Sequence, residues 1–494
     1  MENFTMLQYF QWYYPADGSL WKKITKDAKE LKAFGIDTLW IPPAHKGMDG
    51  KESTGYDVYD HYDLGEFDQK GSIATKYGSK AELLEAVSAA QSAGLQVYAD
   101  IVLNHVGGGD ETEIVKVRKV DPQNRNEFVS DPYEIEAYTK FNFPGRQGKY
   151  SDFKWDYKCF TGVDFDKKNE ETAIYSIQNK DREGWQDVLD NENGNYDYLM
   201  LCDIDFRNPS VMEELKKWGE WFHETLKFDG FRLDAIKHMP PFFFNEWLDH
   251  MRTFTGKELF TVGEYWSPGQ LDVMLEYIDV TQGRMSLFDA CLQANFSTAS
   301  KQGADYDLSQ IFTGTLVSAK PELAVTLVEN HDTQPLQSLE QTVEYWFRPL
   351  AYAMILLRAT GYPCIFYPDL YGAKYTDQGN DGEEHQIVLE PIAQIQAMLG
   401  LRQNNVYGEQ RDYFDHPNCI GWTVNGAVEK PGSGIAVLLS NGGEGFKSME
   451  IGKAFAGRTF HDRLGVIDSE VVINEDGWGE FLCGAGSVSA WTAD

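Results

Sequence analysis

The chain has 494 residues, more than one hydrophobic core normally holds, so two or three domains are expected. Its 77 acidic residues outnumber the 44 basic ones and give a formal net charge of -33, which argues against nucleic acid and anionic membranes as partners. The six cysteines show no CxxC spacing, and we expect reduced core residues rather than a disulfide framework or a zinc site.

The N-terminal sequence MENFTMLQYFQWYY contains no basic segment followed by a long apolar stretch. A signal peptide requires both features, and a transmembrane helix requires an even longer apolar stretch. We therefore expect a cytoplasmic protein, although a secreted form that has lost its leader would look the same. A monomer is expected.

Helical periodicity alternates with short apolar runs from the start of the chain. Ile24, Ala28 and Leu31 fall on one helical face, Gly35 ends this helix, and the strand-like run IDTLWIPP follows. Capping-box patterns predict the starts of two later helices, and they pair Ser79 with Glu82 and Ser210 with Glu213.

Eight short apolar runs are candidates for buried strands. They lie near Leu7 and within residues 36–43, 95–105, 230–234, 259–263, 286–289, 324–328 and 363–366. Runs of this kind, separated by helices, are typical of parallel strands that are covered on both faces. Their number favours a closed (β/α)8 TIM barrel over an open doubly wound sheet.

Two regions break this alternation. Residues 105–208 are rich in Asp, Asn, Gly, Lys and Tyr, and we expect a folded insertion after strand 3, because a structureless loop of this length is improbable in a compact domain. Later segments such as CIGWTV and GIAVLLS predict a C-terminal antiparallel β sandwich. The expected domains are the barrel (1–104 and 209–397), the insertion (105–208) and the β domain (398–494).

Three acidic residues stand where predicted strands end. Asp234 closes the run GFRLD, Glu264 follows LFTVG, and Asp332 follows AVTLVENH. Because barrel enzymes keep their active sites at the carboxyl ends of the strands, these side chains are expected to meet. One such acid is more often a helix cap or a surface charge, but three together favour a catalytic cluster.

A pair of carboxyl groups about 5 to 5.5 Å apart can hydrolyse a glycoside with retention, one as nucleophile and one as acid/base. Arg232 lies two residues before Asp234, on the same strand face, and its charge favours the ionised form that a nucleophile needs. Two aromatic residues follow Glu264, and a desolvated site favours the protonated form that a proton donor needs. Asp332 is expected to stabilise the positively charged transition state.

Histidines and aromatic residues surround the predicted strand ends. His105, His238 and His331 are three of only 10 histidines, and neutral imidazoles there would donate hydrogen bonds to sugar hydroxyls. Most aromatic residues belong to the core, but some are candidates for stacking on sugar rings, namely Trp12, Tyr13, Tyr14, Tyr56 and Trp266.

Oxygen ligands for a metal occur at one strand end and in the insertion. Asn104, Asp197 and Asp203 supply amide and carboxylate oxygens. Hard ligands of this kind suit calcium better than zinc.

These motifs together resemble one enzyme family. The chain is similar to the α-amylases of the (β/α)8-barrel glycoside hydrolase clan (family 13 type), and most of all to the bacterial liquefying and intracellular α-amylases. The resemblance runs through the whole chain, in QYFQWYYPADG, GYDVYDHYDLGEFDQKG, DIVLNH, NENGNYDYLM, GFRLDAIKH, VGEYW, ENHDT and DYFDHPNCIGWT.

The resemblance implies retaining endo-hydrolysis of internal α-1,4-glucosidic bonds in starch, glycogen and maltodextrins. It implies Asp234 as nucleophile, Glu264 as general acid/base and Asp332 as transition-state stabiliser. The implied substrate cleft is lined by Tyr56, His105, Arg232, Lys237, His238, Trp266 and His331. The implied cofactor is one structural calcium ion, held by Asn104, Asp197, Asp203 and the backbone carbonyl of His238.

One departure from the family pattern concerns the metal. Where secreted members hold several ions between aspartates, this chain has Asp164 and Asp205 but also Gln186 and Arg207. A cationic side chain beside a second cation is unfavourable. We therefore expect one calcium ion rather than a cluster.

Other functions could use the same parts. A maltooligosaccharide-forming exo-type hydrolase or a transglycosylase of the same clan would differ in loop geometry. A non-catalytic carbohydrate-binding relative would be expected to lack part of the carboxylate triad, which is complete here. A metal-dependent barrel hydrolase would use the histidines as ligands, and chelation would stop its chemistry outright.

Overall fold

A closed barrel of eight parallel strands forms the centre of the protein, in a computed structural model that describes residues 3–493. The strands are Met6–Gln8, Thr38–Ile41, Gln96–Ile101, Gly230–Leu233, Phe260–Gly263, Ser286–Phe288, Ala324–Leu327 and Tyr362–Phe366. Neighbours in the barrel are consecutive along the chain, and the last strand pairs with the first. Most strand residues are buried on both faces, as the apolar runs predict, and the (β/α)8 fold is confirmed.

Helices alternate with these strands. They are Leu20–Phe34, Lys80–Ser92, Pro209–Leu226, Pro241–Thr255, Leu271–Val280, Ala290–Gln302, Leu316–Ala319, Arg348–Leu356, Tyr367–Tyr371 and Ile395–Asn405. The first helix buries Ile24, Ala28 and Leu31 as predicted, and Gly35 ends it with a φ of 99° that glycine tolerates. Within residues 3–493, none of the helices is both long and apolar enough to cross a lipid bilayer.

The two predicted helix starts have different outcomes. The capping box of Ser79 with Glu82 is confirmed. The one expected at Ser210 is wrong, because the helix begins at Pro209 and the Asn208 side chain caps it, accepting a hydrogen bond from Ser210 N at 3.0 Å. Proline suits the first helical position, since it lacks an N–H and its φ is already helical.

A six-stranded antiparallel sheet lies between the third and fourth barrel strands. In spatial order its strands are His105–Val106, Cys202–Ile204, Phe160–Asp166, Glu171–Ile177, Glu111–Lys119 and Tyr133–Lys140. The first two pair so that Asp203 lies opposite His105. Because His105 follows the third barrel strand closely, this pairing anchors the insertion beside the carboxyl ends of the barrel strands. Two further hairpins pair Lys46–Gly47 with Val58–Asp60 and Ala373–Gln378 with Glu384–Leu389.

Two antiparallel sheets form the C-terminal domain. The larger contains, in spatial order, Gln410–Tyr413, Cys419–Val424, Ile435–Ser440, Val488–Ala493, Thr459–Asp462 and Glu470–Val472, and the smaller pairs Gly445–Glu450 with Trp478–Cys483. Leu438, Met449 and Phe481 belong to one apolar cluster that joins the two sheets. The all-β C-terminal domain is confirmed. The helix Ile395–Asn405 spans residue 398, and the expected domain limits stay a prediction.

Candidate active site

Arg232 lies at the centre of the candidate active site, on the fourth barrel strand. Its guanidinium is buried, and Nη1 donates to Asp100 Oδ1 at 2.8 Å and to Asp234 Oδ1 at 2.6 Å. Nη2 lies 2.8 Å from Glu264 Oε2. Because the guanidinium is a rigid planar fork, these contacts hold three carboxyl groups around one positive charge.

The pairing of the fourth and fifth barrel strands brings Asp234 and Glu264 together. Leu233 pairs with Gly263 in parallel register, and each acid directly follows one of these partners. Glu264 N donates to Leu233 O at 2.9 Å, and Ala235 N donates to Glu264 Oε2 at 3.2 Å. The two carboxyl groups thus lie side by side at the ends of neighbouring strands.

Asp100, on the third barrel strand, is a site residue that the sequence analysis missed. Besides its bond with Arg232, its Oδ2 accepts from Trp40 Nε1 at 2.9 Å and from Tyr56 OH at 2.8 Å. A signal was present in the sequence, because an acid inside the apolar run VYADIVL is a buried charge that needs partners.

The electrostatics of Asp234 differ from the expectation. Burial raises the pKa of Asp234 to about 8 and outweighs Arg232, which lowers this pKa, while Glu264 and Asp100 raise it further. The expectation that Arg232 keeps Asp234 ionised is wrong for the protein alone, because several acids share one guanidinium. The cluster therefore retains a proton near neutral pH.

Asp332 follows the seventh barrel strand and completes the carboxyl cluster. Burial and the neighbouring Glu264 raise the pKa of Asp332 well above its usual range. Gln8 Nε2 donates to His331 Nδ1 at 2.9 Å, so the ring proton of His331 is on Nε2, which lies 3.3 Å from Asp332 Oδ2. Burial lowers the pKa of His331, and its ring is neutral.

Aromatic rings form one side of the site. Tyr56 lies parallel to His331 with ring centroids 4.9 Å apart, and Trp12 lies parallel to Tyr56 at 5.9 Å. Trp12 and Tyr56 are half-buried, so each keeps part of its ring exposed. Flat apolar surfaces of this kind suit the faces of sugar rings.

The other aromatic candidates have different surroundings. Tyr13 stacks on Tyr375 with ring centroids 4.0 Å apart. Tyr14 packs edge-on against Tyr367. Trp266 is almost fully buried. Tyr13 therefore packs on the hairpin strand Ala373–Gln378 and Tyr14 on the short helix Tyr367–Tyr371.

His105 and His238 are held by backbone carbonyls. His105 Nε2 donates to Tyr56 O, and His238 Nδ1 donates to Tyr196 O, both at 2.7 Å. Burial lowers the pKa of His105 to about 4 and that of His238 to about 3, so both rings are neutral. The second nitrogen of each neutral ring is an acceptor, so the prediction that these rings donate hydrogen bonds to sugar hydroxyls is wrong for that nitrogen.

Lys237 links the short helical turn after the fourth barrel strand to the insertion. Its Nζ lies 3.2 Å from Glu192 Oε2 and 3.5 Å from Asp190 Oδ2. It also donates to Trp266 O at 3.3 Å. This lysine thus connects the segment after the fifth barrel strand with the loop of the insertion that contains Asp190 and Glu192.

The expected calcium ligands lie where the insertion meets the third barrel strand. Asn104 Nδ2 lies 3.4 Å from Asp203 Oδ1, while Asn104 Oδ1 is buried without a hydrogen-bond partner. Burial raises the pKa of Asp197 to about 8, and burial together with Asp197 raises the pKa of Asp203. Two buried acids that repel each other, with an unpartnered amide oxygen, fit a hard cation.

Within residues 3–493, no three His, Cys, Asp or Glu side chains cluster as a metal site. The expected ligand set contains only two acidic side chains. An ion there would therefore also be held by neutral oxygens, those of one amide and one backbone carbonyl.

Asp205 is paired with two arginines. Arg182 Nε lies 2.9 Å from Asp205 Oδ2, and Arg207 Nε lies 2.8 Å from Asp205 Oδ1. Gln186 Nε2 donates to Asp197 Oδ1 at 3.2 Å. The two arginines thus neutralise the Asp205 carboxylate, which is therefore not free to bind a second ion.

Comparison with known proteins identifies the family. The family model described as "Alpha amylase, catalytic domain" matches residues 16–397. The chain belongs to the α-amylase family. A second family model, "Alpha-amylase C-terminal", matches residues 435–492 in the β domain.

Two bacterial relatives match the α-amylase chain over its whole length. The cytoplasmic α-amylase of Escherichia coli (strain K12) is 48% identical over 495 residues, which cover 100% of this chain and 99% of the relative. The α-amylase of Geobacillus stearothermophilus is 49% identical, over 99% of this chain and 87% of the relative. The chain is an α-amylase-type enzyme and hydrolyses internal α-1,4 bonds of glucans.

A solved structure supports the fold alone. The α-amylase of Geobacillus thermoleovorans has a TM-score of 0.64 at 16% identity, and the match covers 100% of this chain and 98% of that one.

Proposed function

We propose that the enzyme cleaves starch, glycogen and maltodextrins with retention, with Asp234 as the nucleophile and Glu264 as the general acid/base. The main support is the shared guanidinium. Arg232 contacts both carboxyl groups, at 2.6 and 2.8 Å, from the ends of adjacent strands. This side-by-side geometry suits the narrow spacing of retaining enzymes, whereas inverting enzymes leave room for a water between the two groups.

In the first step Asp234 attacks the anomeric carbon, the bond from this carbon to the glycosidic oxygen breaks, and Glu264 gives its proton to that oxygen. The product is a glycosyl ester on Asp234. In the second step Glu264 accepts a proton from water, which attacks the same carbon and releases Asp234. Two inversions at one carbon retain its configuration.

The proton that Glu264 donates comes from a cluster with more acids than bases. Four carboxyl groups, those of Asp100, Asp234, Glu264 and Asp332, influence one another around Arg232, and ionisation of one opposes ionisation of the next. As positive charge develops on the sugar, it favours the ionised forms of Asp234 and Asp332. Glu264 contacts the same guanidinium and, in its acid form, gives its proton to the leaving oxygen.

We propose that a glucan chain lies against the aromatic side of this cluster. Tyr56 and Trp12 offer exposed ring surface beside the acids. The proposed cleft residues are Tyr56, His105, Arg232, Lys237, His238, Trp266 and His331. For His238, the acceptor nitrogen Nε2 favours a contact with a sugar hydroxyl proton, whereas Nδ1 of His105 already lies 3.3 Å from Asn104 Nδ2.

We propose one structural calcium ion at the junction of insertion and barrel. Asn104, Asp197, Asp203 and the backbone carbonyl of His238 would hold it. The unpartnered Asn104 Oδ1 and the raised pKa values of both acids support this site. The ion would supply no bond chemistry, but would offset negative charge and join the insertion to the barrel. The pairing of Asp205 with two arginines supports a single ion.

The main test is NMR of the anomeric protons released from a maltooligosaccharide. We expect the α anomer first from the wild type, and a loss of roughly 10⁴-fold or more in activity for both Asp234→Asn and Glu264→Gln. Asp272→Asn, at an exposed helix start, is a matched control that should keep full activity. The β anomer as first product, or an active Asp234→Asn variant, would overturn the assignment.

Product size tests the mode of attack. A time course on a long maltodextrin should give mixed mid-sized fragments, whereas one dominant oligosaccharide would favour the exo-acting rival. We also propose a cytoplasmic monomer. The description of the 48% identical E. coli relative as cytoplasmic supports the location, and cell fractionation with light scattering tests both properties.

A further inference from the structure

Two thiols of the C-terminal domain meet between its sheets. Cys419 begins a strand of the larger sheet, Cys483 ends a strand of the smaller sheet, and both are buried. Gly445 lies opposite Cys483 in register. A Cβ atom placed on Gly445 would lie 2.6 Å from Cys419 Sγ and 3.2 Å from Cys483 Sγ, so both sulfurs border the small space that this glycine leaves open.

The other cysteines have no such partner among residues 3–493. All six are free and buried. Cys202 Sγ approaches Tyr138 O, Cys291 Sγ approaches Ser267 O, and Cys364 Sγ approaches Ile365 O. Proximity of two thiols is therefore a feature of this one place, and it differs from the scattered cysteines that the sequence suggests.

The two thiols are not equivalent. The pKa of Cys419 is lowered, chiefly by the neighbouring Cys483 thiol and also by Lys447, whereas the pKa of Cys483 is raised, chiefly by Cys419. The ammonium group of Lys447 is paired with Asp415 on the same side of the domain. Cys419 is also the more exposed of the two, at 7% against 2% for Cys483, and the thiolate is the nucleophile in disulfide exchange, so Cys419 is the thiol that we expect to react first.

We propose that Cys419 and Cys483 form an intramolecular disulfide when the enzyme meets a small-molecule disulfide such as oxidised glutathione. The Cys419 thiolate attacks one glutathione sulfur, a Cys419–glutathione bond forms, and one glutathione thiolate leaves. Cys483 then gives up its proton and attacks Cys419 Sγ, which releases the second glutathione. Two protein thiols are oxidised to one disulfide, and one glutathione disulfide is reduced to two thiols.

The position of the pair allows a reagent to reach it. Cys419 is the first residue of its strand, Gly445 begins the neighbouring strand, and Cys483 is the last residue of the strand opposite. Strand ends open by local fluctuation more readily than strand centres. A small disulfide can therefore reach Cys419 without unfolding of the domain.

The bond would join the two sheets covalently. The larger sheet is held to the smaller by the apolar cluster that contains Leu438, Met449 and Phe481, and a disulfide would add a cross-link at its edge. Closing a chain loop of this length restricts the unfolded state and so stabilises the folded domain. The carboxyl cluster lies in the barrel, so the activity of the oxidised enzyme should equal that of the reduced enzyme.

The test treats the folded, full-length enzyme with oxidised glutathione, blocks free thiols with an alkylating reagent, and maps the peptides by mass spectrometry. We expect a linked pair of peptides that contain residues 419 and 483, its loss on reduction with dithiothreitol, and a higher unfolding temperature of the oxidised form. Glutathione that stays on Cys419, a different linked pair, or no linkage at all would overturn the proposal.

Variants separate the two steps. Cys483→Ser should leave a stable glutathione adduct on Cys419, because the resolving thiol is gone. Cys291→Ser is the matched control, since its sulfur lies in the barrel near Ser267 O, and this variant should still form the 419–483 bond. An adduct on Cys419 in the wild type equal to that in Cys483→Ser would show that Cys483 takes no part.

Discussion

Asp100 and Arg232 are register partners on neighbouring barrel strands, and their side chains meet at 2.8 Å. Asp100 also accepts from Trp40 and Tyr56, so it joins the guanidinium to the aromatic side of the site. It touches the guanidinium that orients the proposed nucleophile, and is therefore a positioning residue. A buried acid with three partners fixes its neighbours more firmly than a free carboxylate would.

Asp100→Asn should lower kcat by roughly 10²-fold with a smaller change in KM, because the amide still accepts from Trp40 and Tyr56 but no longer anchors Arg232 electrostatically. Asp100 raises the pKa of Asp234, so the variant should also shift the acidic limb of the pH–rate profile to lower pH. Asp60→Asn breaks another buried pair, with Arg146 at 2.9 Å, and should keep the wild-type profile. An unshifted limb would contradict this role.

Arg348→Met should destabilise the protein by about 3–5 kcal/mol, because it leaves two buried carboxyl groups without their cation. Arg348 lies 2.6 Å from Asp369 and 3.1 Å from Glu329, and burial already raises the pKa of Glu329 to about 8. Arg284→Met removes a surface pair with Asp249 and should cost at most about 1 kcal/mol. Urea unfolding of both variants measures the difference, and equal losses would contradict the prediction.

His61 should make the protein less stable in mild acid. Burial lowers the pKa of His61 from 6.5 to about 4, so the folded state resists the proton that the unfolded chain takes up. Its contribution is complete above pH 6.5 and is lost as the pH falls toward 4, by about 3 kcal/mol in total. His61→Gln can keep the hydrogen bond to Val102 O and should reduce the pH dependence of the unfolding midpoint in this window, while the buried His105 and His238 keep their share of it.

The control for His61 is Thr298→Ser, which changes an exposed side chain that does not titrate. It should leave the pH dependence as in the wild type. If His61→Gln kept the full slope between pH 6.5 and 4, other buried groups would account for the acid sensitivity.

Removal of the proposed calcium ion should loosen the insertion, and loss of activity should follow unfolding in the same chelator titration. Metal analysis after dialysis in trace calcium should return one tightly held ion per chain, because Arg182 and Arg207 occupy Asp205. Two or more ions per chain would contradict this prediction.

Asp203→Asn should abolish the calcium dependence of the unfolding temperature. Asp121→Asn, in an exposed loop of the insertion, should leave it unchanged.

The barrel could be predicted from the sequence because each buried parallel strand is a short apolar run, and the helices between them carry a regular apolar face. The ends of those runs predicted Asp234, Glu264 and Asp332 as site residues, because the carboxyl ends of all the parallel strands lie at the same end of a barrel. The start of the third helix was misplaced, because Pro209 and Asn208 provide a stronger helix start than the pattern at Ser210.

The sequence by itself determined the strands, the helices and the positions of the three acids at strand ends, because burial and periodicity are patterns of neighbouring residues. Only the tertiary structure decided which charges meet. Asp100 with Arg232, Arg182 with Asp205, and Cys419 with Cys483 are contacts between separate elements. The choice of a partner for a buried polar group depends on strand register and loop path, which no local pattern encodes, and this choice sets the protonation of the site.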